Sequence, residues 1–281
     1  MKIIRSVRKM QRFSRALRAN SVRIGLVPTM GYLHEGHARL LRAARRHARC
    51  VVMSIFVNPA QFGPKEDYAR YPRDFARDMR LAKKEKVDVV FYPAAGDMYP
   101  RGYRSFVTVG DLSERLCGRS RPGHFRGVAT VVCKLFNIVM PETAYFGQKD
   151  AQQVRVIRQM AHDLNIPVRI KEIPTAREPD GLAISSRNVY LSAQERAQAP
   201  SLVHALRHAQ DLVRGKERNA AVIMRQMRAI LAKAPRAKID YIAVVDYENL
   251  RPLSRVQGKT LIALAVWFGK TRLIDNVIVR A

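Results

Sequence analysis

Apolar residues recur along this chain in two alternating rhythms. Residues 22–27, 50–57 and 87–92 are short continuous apolar runs, the pattern of strands buried on both faces. Between them, Leu40, Leu41 and Ala44 follow His34 with helical spacing, and residues 75–84 predict a further helix. Ile4, Val7, Phe13 and Leu17 fit an amphipathic helix leading into the first strand. Residues 127–140 carry apolar side chains on nearly every turn and stop before Pro141, which predicts a buried helix feeding a short strand at 144–146. A helix over 151–164 and a strand over 168–173 complete the series. Continuous strands alternating with helices predict a doubly wound parallel sheet covered on both faces.

After Pro174 the rhythm changes. Ser192 and Glu195 have capping-box spacing at a helix start. Helices near 202–213 and 220–232 follow, then strand-like runs at 239–245, 261–268 and 273–279. The reading is α/β: a Rossmann-like doubly wound domain over residues 1–175 and a smaller α+β domain over 176–281.

A length of 281 residues at 47% hydrophobic composition is enough to bury a sizeable core. The longest uninterrupted apolar stretch, 261–268, is far short of the roughly 20 residues that span a bilayer, so no membrane segment is expected. Residues 1–34 hold no acidic residue and carry Arg5, Arg8, Arg12, Arg15 and Arg18, superficially like an organellar transit peptide, but the apolar spacing favours a helix of the fold. Cys50, Cys117 and Cys133 are odd in number and lack metal-ligand spacing, which suggests buried apolar thiols in a reducing cytoplasm. The net charge of +28 raises nucleic-acid binding as a rival reading. Its basic residues are spread along the whole chain, which favours a generally basic solvated surface over specific nucleic-acid recognition.

Four segments carry chemistry. Pro28-Thr29-Met30-Gly31-Tyr32-Leu33-His34-Glu35-Gly36-His37 lies where a strand hands over to a helix, the place where open α/β sheets bind ligands. A helix N-terminus offers N–H groups to an anion, glycines permit close approach, and His34 and His37 are spaced to donate to one phosphate chain. The pattern resembles the H-x-G-H signature of nucleotidyltransferases and class I aminoacyl-tRNA synthetases. Next comes Asn58-Pro59-Ala60-Gln61, with a neutral amide suited to hydroxyl and carboxylate groups, and the third segment opens with Arg121-Pro122-Gly123-His124 and runs through the apolar helix to the residues after it. Phe146-Gly147-Gln148-Lys149-Asp150-Ala151-Gln152-Gln153 supplies a point charge for triphosphate and a carboxylate for a ribose hydroxyl or a cation site. Finally Ala176, Ile184, Ser185, Ser186 and Arg187 form a loop much like the mobile K-M-S-K-S loop of that superfamily.

In this order, and running on to Thr271-Arg272-Leu273-Ile274-Asp275-Asn276, the segments resemble the pantothenate synthetase family over nearly the whole chain. The resemblance implies an ATP-dependent ligase that joins pantoate to β-alanine through a pantoyl-adenylate. It implies His34, His37, Lys149, Ser185, Ser186 and Arg187 as the catalytic set. Met30, Gly31, Tyr32, Leu33, Glu35, Gly36, Gly147, Gln148, Asp150, Ala176 and Ile184 would bind the nucleotide. Gln61, Gln153, Met30, Arg121 and His124 would hold pantoate or β-alanine. Mg²⁺ is expected on the phosphates, with Asp78 a metal neighbour, although Arg77 stands beside it where certain relatives carry a second acid. The family also implies a homodimer, whose contacts would draw on apolar surface around the second strand. A different adenylyl- or cytidylyltransferase is the closer rival, and the neutral Gln61 and Gln153 argue against its phosphorylated cosubstrate.

Overall fold

The computed structural model describes residues 1–64 and 66–281. The continuous apolar runs become strands whose two faces feed different cores. In β3 (Cys50–Ile55) every residue is buried, with Val52 in the core on one side of the sheet and Val51 and Met53 in the core on the other. With β1 (Lys2–Ile4), β2 (Ile24–Thr29), β4 (Val89–Phe91), β5 (Thr143–Gly147) and β6 (Arg169–Ile173) it forms a six-stranded sheet in the order β1-β4-β3-β2-β5-β6. Every pairing in it is parallel.

Helices α1 (Val7–Ala19), α6 (His124–Val139) and α7 (Ala151–Asp163) share one core with this sheet; α2 (Glu35–His47) and α3 (Phe75–Lys84) share the other. Two single-turn helices, α4 (Ala95–Met98) and α5 (Cys117–Ser120), lie in the connections. The chain moves outward from β2 through β3 to β4, then returns to the other side of β2 for β5 and β6. This reversal opens a crevice at the C-terminal ends of β2 and β5.

The second unit has α8 (Ala193–Gln198), α9 (Ser201–Arg214) and α10 (Ala220–Ala232), then an antiparallel sheet of β7 (Ala237–Asp246), β8 (Lys259–Phe268) and β9 (Thr271–Arg280). The expected capping box opens α8: Ser192 N donates to Glu195 Oε2 at 2.8 Å and Glu195 N to Ser192 Oγ at 3.3 Å. Alternation along β8 assigns its faces. Ile262, Leu264 and Val266 pack on α9 and α10, while Leu261 and Ala263 join Val245, Tyr247 and Leu250 in the core beneath the parallel sheet.

Several expectations are corrected. The edge strand β1 is only three residues long and was not visible as a separate run before α1, which is capped by Ser6. Helix α6 starts at His124, three residues before the apolar run, because Gly123 in a left-handed conformation (φ 79°) turns the chain into it. The apolar residues of β3 itself are wholly core. Of the thiols, Cys50 and Cys117 are buried, but Cys117 lies 3.2 Å from the Tyr241 hydroxyl and 3.5 Å from an Arg272 nitrogen, so its surroundings are polar.

Candidate active site

At the crevice a cavity of about 240 Å³ is lined by residues from all four sequence segments. Met30, His34, Gly36 and His37 come from the end of β2 and the start of α2, and Gln61, Arg121 and His124 from the far wall. Gly147, Lys149, Asp150 and Gln153 descend from β5, and Ala176, Ile184, Ser185, Ser186 and Arg187 close the side. It opens beside a second cavity of about 580 Å³, which shares Lys149, Gln153 and Arg187 and is bounded by Trp267, Lys270 and Arg272 of the antiparallel sheet. Together they have the size of a small-molecule site.

The histidine pair is arranged by the helix it begins. His34 is the N-cap of α2, and its Nδ1 accepts from Gly36 N at 3.1 Å; His37 Nδ1 accepts from His34 N at 3.2 Å. This is a capping box made of imidazoles. A backbone N–H only donates, so each Nδ1 is unprotonated and each neutral ring carries its proton on Nε2. Burial first, then the charges of His37, Lys149 and Arg77, push His34 down from 6.5 to about 2. Burial also takes His37 to about 4, with Asp150 working against it and Lys149 with it. The result is two neutral donors, ring centroids 4.0 Å apart, at the edge of a cavity that also holds a lysine.

Gly36 and Gly31 are each required by a neighbouring side chain. A Cβ on Gly36 would stand 2.9 Å from His34 Cε1 and 3.0 Å from Nδ1, so only glycine leaves room for that ring. Gly31 has φ +83° and a Cβ there would meet Asp78 Oδ2 at 2.9 Å. Asp78 explains the tight turn: its carboxylate accepts from Tyr32 N at 2.9 Å and Leu33 N at 2.7 Å. Burial raises its pKa, against those two bonds. Each oxygen thus already serves one backbone N–H, so the carboxylate has a structural task in this turn.

Other expected residues also make contacts within the protein. Glu35 points along the outer face of α2 to Arg42 at 2.9 Å, Leu33 is fully buried, and the Tyr32 ring lies under the Arg77 guanidinium at 4.7 Å. Gln148 lies against Asn276 of β9, whose amide donates to the Gln148 and Lys149 carbonyls at 2.9 and 3.0 Å. Asn276 N in turn donates to Asp275 Oδ1, and Asp275 makes a forked pair with Arg177 at 2.6 and 3.1 Å. The second sheet therefore holds the turn that carries Lys149.

The arginines are already partnered. Arg121 forks onto Glu66 at 2.7 and 2.6 Å and reaches His124 Nε2 at 3.0 Å. His124 Nδ1 lies 2.8 Å from the Gln61 carbonyl, which can only accept, so Nδ1 holds the proton. Burial, then Arg121, takes this ring to about 4, so it too is neutral. Arg187 gives Nε and Nη2 to Asp67 at 3.0 and 2.8 Å, leaving its Nη1 edge for an anion. Asn276, Asp275 and Asp67 received no role from sequence. The signal for the first two was present: adjacent polar residues, 2% and 3% exposed, interrupt an otherwise apolar strand.

A family model for pantoate-beta-alanine ligases matches residues 2–278. The pantothenate synthetase of Moorella thermoacetica is 55% identical over 278 residues, covering 99% of this chain and 98% of the relative. That of Thermotoga neapolitana is 56% identical over 278 residues, covering 99% of each. A crystal structure of pantothenate synthetase from Thermus thermophilus superposes with a TM-score of 0.94 at 44% identity over 100% of both chains. The pantoate-beta-alanine ligase of Francisella tularensis, complexed with β,γ-ATP and β-alanine, aligns with a TM-score of 0.83 at 35% identity over 99% of this chain and 97% of that one. With the histidine pair, the lysine turn and the serine–arginine loop converging on one crevice, and with likeness running from end to end, the chain belongs to the pantoate–β-alanine ligase family.

Proposed function

We propose that this chain condenses pantoate with β-alanine in two steps at the 240 Å³ cavity and its larger neighbour. A pantoate carboxylate oxygen attacks the α-phosphorus of ATP, the bond to the bridging oxygen breaks, and pyrophosphate leaves. The β-alanine amine then attacks the acyl carbon, and AMP departs with the carboxylate oxygen. The observation that carries this reading is the pair of neutral Nε2–H imidazoles beside Lys149. Donors fixed by a helix cap need no reorganisation as charge moves onto the phosphate oxygens, which is the economical way to stabilise a phosphoryl-transfer state.

In this reading residues 1–175 bind nucleotide and pantoate, and residues 176–281 bring the Ser185-Ser186-Arg187 loop. Lys149, Ser185, Ser186 and the Nη1 edge of Arg187 meet the phosphates; Gly147, Asp150, Ala176 and Ile184 hold the nucleoside. A Cβ on Gly147 would meet nothing within 4 Å, as suits a backbone that a ligand covers. Gln61, Gln153 and Met30 hold pantoate. Magnesium would arrive on the ATP phosphates. Among the described residues no group of three or more His, Cys, Asp or Glu is placed to hold a metal ion, and Asp78 is committed to the backbone. That donor set fits a nucleotide-borne ion that keeps its waters, with Asp150, 3.9 Å from Lys149, as the carboxylate at hand. When bound, the ion neutralises charge on the departing pyrophosphate.

A homodimer in a reducing cytoplasm belongs to the same reading. Three free cysteines support the compartment. Among the described residues no helix is long and apolar enough to cross a membrane. The test of the chemistry is pantoate-dependent exchange of labelled pyrophosphate into ATP without β-alanine, in wild type and His37→Ala. Exchange that needs pantoate and collapses in the variant is expected; no exchange from folded wild-type protein would sink the reading.

A further inference from the structure

Behind the wall of the cavity that carries Gln61 lies a chain of polar contacts that the proposed mechanism does not use. Asn58 is 1% exposed and caps the short 3-10 turn Pro59–Gln61. Its Nδ2 lies 3.1 Å from the Gly127 carbonyl and 3.1 Å from Gln61 Oε1, and its Oδ1 lies 3.3 Å from Ala60 N and 2.8 Å from the Tyr99 hydroxyl. Neither Asn58 nor Tyr99 lines the cavity.

The contacts allow one arrangement only. The Gly127 carbonyl can only accept, so the amide end of Asn58 facing it is NH₂; Ala60 N can only donate, so the other end is oxygen. Tyr99 must therefore donate to Asn58. Burial raises the Tyr99 phenol above its ordinary range, so the proton it needs is present at any working pH. The second Asn58 hydrogen goes to Gln61 Oε1, which fixes which end of that amide faces Asn58. The other end, the NH₂, is held 2.9 Å from the Met30 sulfur, a weak acceptor that a substrate oxygen would readily replace. The turn is pressed onto α6 so closely that a Cβ on Gly127 would fall 2.1 Å from the Ala60 carbonyl oxygen and 2.6 Å from Gln61 N, so the assembly has no room to rotate as a block.

We propose that Tyr99 is a positioning residue for pantoate, acting through Asn58 to hold the Gln61 amide with its NH₂ toward the substrate, so that this wall selects a hydrogen-bond acceptor. The proposal rests on the pantoate reading of the cavity. Its chemistry is specific: a hydroxyl or carboxylate oxygen is recognised at the Gln61 NH₂, and an ammonium group in its place is disfavoured because it has no lone pair to offer that donor.

The experiment is a double-mutant cycle of Tyr99→Phe and Gln61→Ala, read as pantoate Kd by calorimetry with a non-hydrolysable ATP analogue and Mg²⁺ present, so that slow variants are measured on the same scale. Tyr99→Phe keeps the ring against Phe56 and Tyr103 and removes only the donor. It is expected to weaken pantoate about threefold to tenfold, the size of one lost hydrogen bond. ATP affinity should stay unchanged, and Tm should fall by no more than about 3 °C. In the Gln61→Ala background the same substitution should have no further effect, since the amide through which it acts is gone. Equal weakening in both backgrounds, equal loss of ATP and pantoate affinity, or no change in pantoate Kd would each overturn the proposal. If the wild type binds no pantoate, the pantoate reading itself fails; if it binds pantoate and Tyr99→Phe binds it equally well, the positioning role alone falls.

Discussion

Replacing Gly36 by alanine should separate stability from activity more cleanly than removing either histidine. Gly36 lies inside α2 and does not adopt a left-handed backbone, so alanine is acceptable to the main chain. Helix propensity alone would favour the change by up to about 1 kcal/mol. Against this, the new methyl would sit 2.9 and 3.0 Å from two atoms of the His34 ring, closer than carbon atoms tolerate, so the imidazole must swing away. That breaks the bond from Gly36 N, and losing an N-cap costs about 1 kcal/mol. The two stability effects nearly offset, and for a protein of this size a residue of 1 kcal/mol moves Tm by only about 3 °C. Activity has no such offset. A displaced preorganised donor typically costs about 10²- to 10³-fold in turnover, or roughly 3–4 kcal/mol. Calorimetric melting and pantoate-dependent pyrophosphate exchange on the same preparation decide the matter. Exchange within threefold of wild type would mean that the ring has room to spare and that its placement does not matter to the reaction. A Tm drop above about 8 °C would mean that the glycine serves folding instead.

Four further outcomes follow from the site. Because His34 and His37 titrate near 2 and 4, exchange at saturating MgATP should stay level as pH falls from 8 to about 5 and decline only below that; a midpoint near 6.5 would refute the neutral-donor assignment. The same depressed pKa values make stability fully present above the unfolded value of 6.5 and progressively lost as pH falls from there towards 4, by up to about 1.4 kcal/mol per pH unit for each buried histidine, which urea melts at pH 7 and 5 would register. Asp78→Asn keeps one acceptor for two backbone N–H groups and should cost about 1–3 kcal/mol of stability while leaving the half-saturating Mg²⁺ concentration as in wild type; a large rise in that concentration would restore Asp78 as a metal ligand. Asn276→Ala removes both bonds to the Gln148 and Lys149 carbonyls and should lower exchange at least tenfold with pantoate Kd unchanged, and an unaltered rate would show that the Lys149 turn holds itself.

The parallel sheet was legible because its strands are buried on both faces and so read as unbroken apolar runs; β1 was not, since three residues at an edge have no room for a pattern. The cavity was legible wherever a motif follows the C-terminal end of a strand, as His34 and His37 do after β2 and Lys149 does after β5. What escaped were contacts between residues far apart in sequence. Asp67 and Arg187 are 120 positions apart, and Asn276 and Lys149 are 127 apart. No local spacing announces such pairs. The backbone task of Asp78 escaped for the same reason: its partners, Tyr32 and Leu33, lie 46 and 45 positions away. The surplus of basic residues, likewise, did not concentrate into one element, and the arginines nearest the site carry their own carboxylates.

The antiparallel sheet gives one face to α9 and α10 and the other to the core of the parallel sheet, with Tyr247 and Leu261 wholly enclosed on that second side. It is a party wall, and neither tenant can remove it. A chain cut near residue 175 would not release two modules; it would strip apolar lining from both and leave the strand that steadies Lys149 without a frame. The halves should therefore melt in one cooperative event, and a split or permuted version would have to carry the whole of residues 237–280 with the parallel-sheet half to keep its lysine in place.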